Sequence, residues 1–358
     1  MSAYPGAERE KRVAFETLER LVAEVFEACG MRPRDARLLA ASLAVADLRG
    51  VHSHGTMRVP DYVAKLTVKG VDPRGRPRLA REHGATLVVD GDNAMGQIAA
   101  DFAMTQALAR AADTGVAFAV IGNSNHCGAM AWYAMRALEH DMIGIAATNA
   151  LPTMAPWGGA ERLVGINPLA VAMPTASDPP FVLDTAFSGS ALGKIAVYRQ
   201  KGEPIPEEWA LDAEGRATTD AAAALEGLLR PIGGFKGVGL AMVMGVLSTL
   251  LSGAAYGRRL GSVAEGPRAG RDGHFVMALD IAAFTDVDAF KRELDAVLDE
   301  IRACRRAPGA ERIYGPGELE HETAGRYRAE GIPLNDTTLA DIVEAGARVG
   351  VDVSALLA

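Results

Sequence analysis

The feature that most constrains this chain is an unbroken apolar run, residues 116–121 (Val-Ala-Phe-Ala-Val-Ile), which gives way at once to Gly122-Asn123-Ser124-Asn125-His126-Cys127-Gly128. The run reads as a buried strand, and residues 129–140 beyond the turn carry helical periodicity. A turn between buried strand and helix is where a rigid scaffold most often presents chemistry. Its centre is His126, and imidazole is the side chain whose ordinary pKa lies near physiological pH. His126 is therefore read as a general acid/base, against the simpler reading that Asn, Ser and Gly cap a helix. Cys127 beside it is not read as a nucleophile, because adjacent residues usually point different ways.

A chain of 358 residues exceeds one ordinary core, so two interlocked domains are expected. Apolar content of 49% with 23% charged residues excludes a disordered chain. The net charge of −8 argues against nucleic acid as a partner, since phosphate binding requires clustered positive charge. No run of eighteen apolar residues marks a membrane span, and residues 1–12 lack an apolar signal core, so the cytoplasm is the expected compartment. Cys29, Cys127 and Cys304 are odd in number and far apart, which fits a reducing environment.

Residues 8–29 and 33–48 read as two scaffold helices closed by Gly30 and Gly50. Then come His52-Ser53-His54-Gly55, Arg58 and Tyr62, the last two four apart on a helix and able to face one ligand. Arginine offers a planar fork matched to a carboxylate, which makes Arg58 the candidate substrate anchor. Residues 68–81 read as a connecting loop, 86–90 as a strand, 97–113 as a helix, 142–147 as a strand ending in Thr148-Asn149, and 152–159 as a loop without regular structure. Further strands are expected at 168–173, 180–183 and 274–280, a polar loop at 265–273, and helices at 240–251, 286–304, 319–330 and 336–349. The irregular alternation implies an α/β or α+β fold with a mixed sheet.

Gly189 to Lys194 fails as a phosphate loop, because three residues separate Gly189 from Gly193 and Ile195 stands where Ser or Thr is required. No G-x-G-x-x-G opens a helix after a strand, so the standard dinucleotide fingerprint is absent. Gly233-Gly234-Phe235-Lys236-Gly237-Val238-Gly239 stands directly before a long apolar helix. Backbone N–H groups there, with Lys236, suit a phosphate or pyrophosphate.

Taken together, Asp47 to Gly55 with Arg58 and Tyr62, Asn123 to His126, Asn149 with Pro152, Pro156, Gly158 and Gly159, Asn167-Pro168, Asp184 to Lys194, Gly233 to Gly239 and Pro316-Gly317-Glu318 resemble the malate/L-lactate dehydrogenase family. This is the second lactate dehydrogenase type, which also includes sulfolactate, ureidoglycolate, diketogulonate and cyclic-imine oxidoreductases. The resemblance runs from about Glu8 to the C-terminus. It implies a mixed, largely antiparallel cofactor domain of non-Rossmann type (residues 123–255) and a helix-rich substrate and dimerisation domain (1–122 with 256–358). It also implies a homodimer, a small carboxylate substrate, and NAD or NADP as cofactor. By position, His126 matches the proton acceptor, and Ser53, His54, Arg58 and Tyr62 match the substrate end. Thr148, Asp184, Thr185, Ala186, Lys236 and the turn Gly315-Pro316-Gly317 match cofactor-contacting positions, with Asp184 also a candidate catalytic group. Phe187 stands where the family commonly has a threonine. NAD versus NADP stays open: the basic residues Arg199 and Lys201 are candidates for a 2′-phosphate and equally for a solvated helix end.

The function so implied is hydride transfer between NAD(P) and a 2-hydroxy/2-oxo acid couple, or alternatively NADPH-dependent reduction of a cyclic imino acid. A His-x-His pair also raises a metal-dependent hydrolase using His52, His54 and His126. No second carboxylate pairs with these histidines at metal spacing, so no metal is expected. A non-catalytic binding protein of the same fold is the remaining class, and intact candidates for every catalytic role argue against it.

Overall fold

The computed structural model describes residues 9–68, 70–260 and 271–357, the side chains of Gln200 and Lys201 excepted. The Lys201 side chain and residues 265–270 of the expected polar loop therefore lie outside the described residues. Among the described residues a seven-stranded sheet frames the molecule, in the order Arg78–His83, Thr86–Asp90, Val116–Ser124, Asp272–Asp280, Met142–Thr148, Leu169–Met173, Phe181–Thr185. Thr86–Asp90 and Val116–Ser124 pair in parallel; the other five pairs are antiparallel. The sheet is thus mixed and largely antiparallel. Asp272–Asp280 slots between Val116–Ser124 and Met142–Thr148, so the domain limit expected at residue 122 falls inside one strand of a continuous sheet.

Both faces of the sheet are covered, which is why residues 116–121 are apolar without alternation. Helix Gly96–Thr114 packs Ala99, Ala103, Met104, Ala107 and Ala111 against Ala117, Ala119, Ile121, Val276 and Ala278. On the opposite face Val120, Phe118 and Phe275 meet Met244 and Leu247 of helix Phe235–Thr249. A second core is helical. Phe15–Ala28, Pro33–Leu48, Val59–Thr67 and Asp336–Arg348 bury Leu18, Val22, Phe26, Leu39, Leu43, Val63 and Ile342 together. A third core gathers Met154, Phe187, Ile195, Ala224 and Leu229 around a small sheet of Ala210–Leu211, Leu228–Leu229, Pro152–Met154 and Val164–Gly165.

Three local expectations are corrected. Lys11–Val13 is a strand, not the first turns of a helix, because Ile332–Leu334 offers it an antiparallel partner. Pro152–Met154 is a strand within the expected loop, since Leu229 and residues 164–165 supply ladder partners. Residues 78–81, at the end of the expected loop, belong to the edge strand Arg78–His83 paired to Thr86–Asp90; its polar composition reflects exposure of both faces. In each case tertiary pairing outweighs local propensity. No helix among the described residues is long and apolar enough to cross a membrane.

Candidate active site

One wall of the site depends on a buried carboxylate. Asp47 closes helix Pro33–Leu48 with no exposed surface. Its Oδ2 accepts from the Thr56 backbone N–H at 2.7 Å and the Thr56 hydroxyl at 2.6 Å, and Oδ1 lies 2.7 Å from His52 Nδ1. These bonds cinch the two short helical turns His52–His54 and Thr56–Arg58 against the scaffold. Gly55 joins the turns, and a Cβ there would stand 2.0 Å from Asp47 Oδ1. Gly55→Ala should therefore push Asp47 off its partners and cost about 1–3 kcal/mol of stability. Urea unfolding measures this, and a midpoint equal to wild type would remove Asp47 as the clamp.

The clamp fixes the groups that follow. Arg58 Nε donates to the Ser53 carbonyl at 2.8 Å and Nη1 to Asp61 Oδ2 at 3.1 Å, so the guanidinium has a set orientation. Ser53 Oγ lies 3.0 Å from His54 Nδ1. The opposite wall is the turn after Val116–Ser124. There the Asn125 amide donates to the Ala94 carbonyl at 2.9 Å and to Asn93 Oδ1 at 3.0 Å, which pins His126 in place.

The two walls meet at His126. Its ring lies nearly parallel to that of His54, with centroids 6.0 Å apart and planes inclined by 10°. Its Nδ1 is 2.7 Å from the Tyr62 hydroxyl, and Gln97 Nε2 donates to that same hydroxyl oxygen at 3.0 Å. Burial, then the charges of His54, Arg58 and His274, holds His126 well below the ordinary histidine range. Burial and Arg58 bring His54 down to about 4. Both rings are thus neutral near pH 7, and a carboxylate bound at Arg58 would relieve part of the positive charge that keeps His126 so. Cys127 packs against His274 at 3.4 Å, and burial pushes its thiol up, so it is not a thiolate.

Ser53, His54, Arg58, His126 and Thr148 line a cleft of about 310 Å³, within the range of small-molecule sites. A second cavity of about 180 Å³ shares Ser53, His54, Gly128, Ile166, Pro168 and Ala191 with it and continues to Asp184, Thr185 and Ala186. Asp184 Oδ2 accepts from the Ala131 backbone N–H at 2.8 Å. The residue is open to its cavity, yet the protein packed around it raises the carboxyl to about 6, and water entering the cavity would lessen that rise.

Other predicted residues lie further off. The Tyr62 ring is buried behind His126 and is not a wall of the cleft. Gly315, Pro316 and Gly317 brace the edge strand Phe181–Thr185: the Val182 N–H donates to the Pro316 carbonyl at 3.0 Å, and Gly317 at φ +90° leaves no room for a Cβ beside Val182. Lys236 stands in the first turn of Phe235–Thr249, among the described residues outside both cavities. Phe187 is packed in the third core. The three histidines weighed for a metal do not converge: His52 pairs with Asp47 and stacks on Tyr327, and no metal-binding cluster occurs among the described residues.

Two residues escaped the sequence reading. Gln97 counted as one more helical position, and nothing in helical periodicity marks a polar residue that touches a site. Asp272 fell in a polar loop, whereas it begins the central strand, lines the cleft, and is raised to about 7 by burial.

The chain matches the family model described as malate/L-lactate dehydrogenase over residues 13–343. It is 38% identical to a malate dehydrogenase of Pyrococcus horikoshii over 349 residues, 95% of this chain and 96% of that protein. A solved sulfolactate dehydrogenase from Methanocaldococcus jannaschii superposes with a TM-score of 0.90 at 34% identity, covering 97% of this chain and 100% of that one. A solved Δ1-piperideine-2-carboxylate reductase from Pseudomonas syringae gives a TM-score of 0.82 at 27% identity, covering 94% and 99%.

Proposed function

The chain belongs to the malate/L-lactate dehydrogenase family, and on that premise we propose that it transfers a hydride between a nicotinamide cofactor and a small 2-hydroxy/2-oxo acid, with His126 exchanging the proton. The observation that carries this reading is the convergence of an oriented guanidinium and two parallel neutral imidazoles on one cleft. Arg58 would take the substrate carboxylate, leaving the adjacent carbon and its oxygen toward His54 and His126. Fixing both ends of so small a molecule lowers the barrier by orientation before any proton moves.

The residues present fit a nicotinamide cofactor: the second cavity joins the first at Ser53 and His54, and the carboxylate Asp184 with Thr185 and Ala186 offers hydrogen-bonding edges to a ribose or carboxamide. Bound there, the nicotinamide would supply or accept the hydride. Thr148 lines the first cleft alone, and Lys236 with Gly315 to Gly317 are the more distant members of the proposed cofactor set. His126 would take the hydroxyl proton in oxidation and return one in reduction. The neutral ring is the form that can accept a proton, and a carboxylate on Arg58 would raise its proton affinity, lowered chiefly by burial, back toward the working range.

Reduction of a cyclic imino acid is the second reading, supported by the likeness to the piperideine-carboxylate reductase. The same anchor and proton donor would then serve a C=N bond. We further propose a homodimer. Leu240, Val243 and Val246 along Phe235–Thr249, with Leu250 at its C-cap, recur at three- and four-residue spacing and are exposed, an apolar stripe suited to a second copy.

The test is oxidation of NADH and of NADPH, followed separately by absorbance, against a panel of 2-oxo acids and one cyclic imino acid. Turnover with a 2-oxo acid supports the first reading, and turnover with the imino acid alone supports the second. Failure to bind either reduced cofactor overturns both.

A further inference from the structure

The cleft that holds His126 is unequal in charge. Among the described residues that line it, Arg58 is the one arginine or lysine, while Asp61 and Asp272 are both carboxylates. Arg58 already meets Asp61 at 3.1 Å, so its remaining donors can answer one acid group of a ligand. His54 and His126 add no charge near pH 7, because burial above all lowers both. Much of the remaining wall is aliphatic, with Leu151, Leu192, Leu229 and Leu260 among its residues.

Asp272 stands where a second acid group would be felt. It begins the central strand Asp272–Asp280 and pairs there with Ser124, two positions before His126. The carboxyl and the imidazole thus come from adjacent strands into one cleft. Burial raises Asp272 to about 7, against the pull of Lys65 and of its own backbone N–H. Lys65 lies in the last turn of Val59–Thr67 and is not a wall of the cleft. A ligand anchored by its carboxylate on Arg58 therefore has its other end among leucines and a carboxyl. A branched aliphatic end gains there by leaving water. A second carboxylate loses its hydration, gains no counter-ion from the described walls and meets a like charge.

We propose that Asp272 is a specificity-determining residue: the cleft selects 2-hydroxy/2-oxo acids with one acid group and an uncharged remainder, and Asp272 disfavours those with a second carboxylate or a sulfonate. The inference rests on the reading of Arg58 as the carboxylate anchor. It sets this chain apart from what likeness to malate and sulfolactate dehydrogenases alone would suggest.

The test compares oxaloacetate with 4-methyl-2-oxopentanoate, in which an isopropyl group of similar shape replaces the second carboxylate. Binding is measured by calorimetry on the full chain saturated with NAD, and in a parallel series with NADP. The oxidised cofactor cannot reduce a 2-oxo acid, so binding is read without turnover. At pH 8, where Asp272 is ionised, the wild type should hold the monoacid at least about tenfold more tightly. Asp272→Asn keeps the size and removes the charge, and it should narrow that ratio about tenfold by strengthening oxaloacetate. A merely structural Asp272 would weaken both acids together and leave the ratio in place. Asp272→Ser replaces Asp272→Asn if the latter does not fold. Equal or tighter binding of oxaloacetate by the wild type, or a ratio unmoved by the substitution, overturns the proposal. Binding of neither acid overturns it together with the Arg58 anchor. Selective binding without reduction of the monoacid by NADH or NADPH would overturn the hydride-transfer reading instead.

Discussion

His126→Ala should bind reduced nicotinamide as the wild type does and lose about 10²- to 10⁴-fold in turnover, the usual contribution of a positioned acid/base. Binding should survive because the groups proposed for the cofactor, Asp184, Thr185 and Ala186, line the second cavity and do not bond to the imidazole. Turnover should fall because His126 is the ring that two walls of the site combine to hold: Asn125 pins its backbone neighbour, and Tyr62 takes its Nδ1 at 2.7 Å. His54, stacked beside it, is no substitute. Its Nδ1 faces Ser53 Oγ, and burial with Arg58 brings it down to about 4. Fluorescence titration of reduced cofactor and steady-state turnover decide the matter together. Activity within tenfold of wild type would remove His126 from the mechanism, while loss of cofactor binding would place it in the cofactor site.

Arg58→Lys keeps the positive charge and should still lower kcat/KM by at least about tenfold, with KM raised and kcat lowered. The guanidinium is oriented by two separate bonds, to the Ser53 carbonyl and to Asp61. A lysine ammonium is a single flexible point charge that cannot keep both and also present a fork to a carboxylate. A bound acid would then pivot relative to His126, and misplacement of this kind reduces the chemical step as well as binding. Steady-state kinetics on the preferred acid resolve KM from kcat. Equal constants for wild type and variant would show that the carboxylate is held elsewhere.

Much of the site could be read from local sequence because its residues sit in short motifs. His52 to Gly55 with Arg58 spans two consecutive turns, and His126 lies in a run of small hydrogen-bonding residues directly after a buried strand. The apolar stretch 116–121 announced a strand covered on both faces, and the sheet bears this out. What could not be read is equally specific. Gln97 looked like an ordinary helical residue, and Asp272 like part of a polar loop. Tyr62 reads as facing the substrate because it follows Arg58 by four residues, yet its helix begins at Val59, after Arg58, and its hydroxyl turns inward to a histidine 64 positions away. Lys236 looked suited to an anion by its place at a helix start, although the fold sets it apart from both cavities.

The division follows from the range of the interactions. Helix periodicity, strand runs, turn residues and the family motifs depend on neighbours within a few positions, and the sequence by itself determined those, along with the chemical character of Arg58, His54 and His126. Which strand lies between which, and which buried polar atom meets which, depend on segments that are distant in the chain and compete for the same space. Thus Asp272–Asp280 came to the centre of a sheet whose first strand begins at Arg78, and Gln97, Tyr62 and His126 came to share one line of hydrogen bonds. Only the tertiary structure decided these, because a buried hydrogen bond is set by ångström-scale proximity that packing alone supplies.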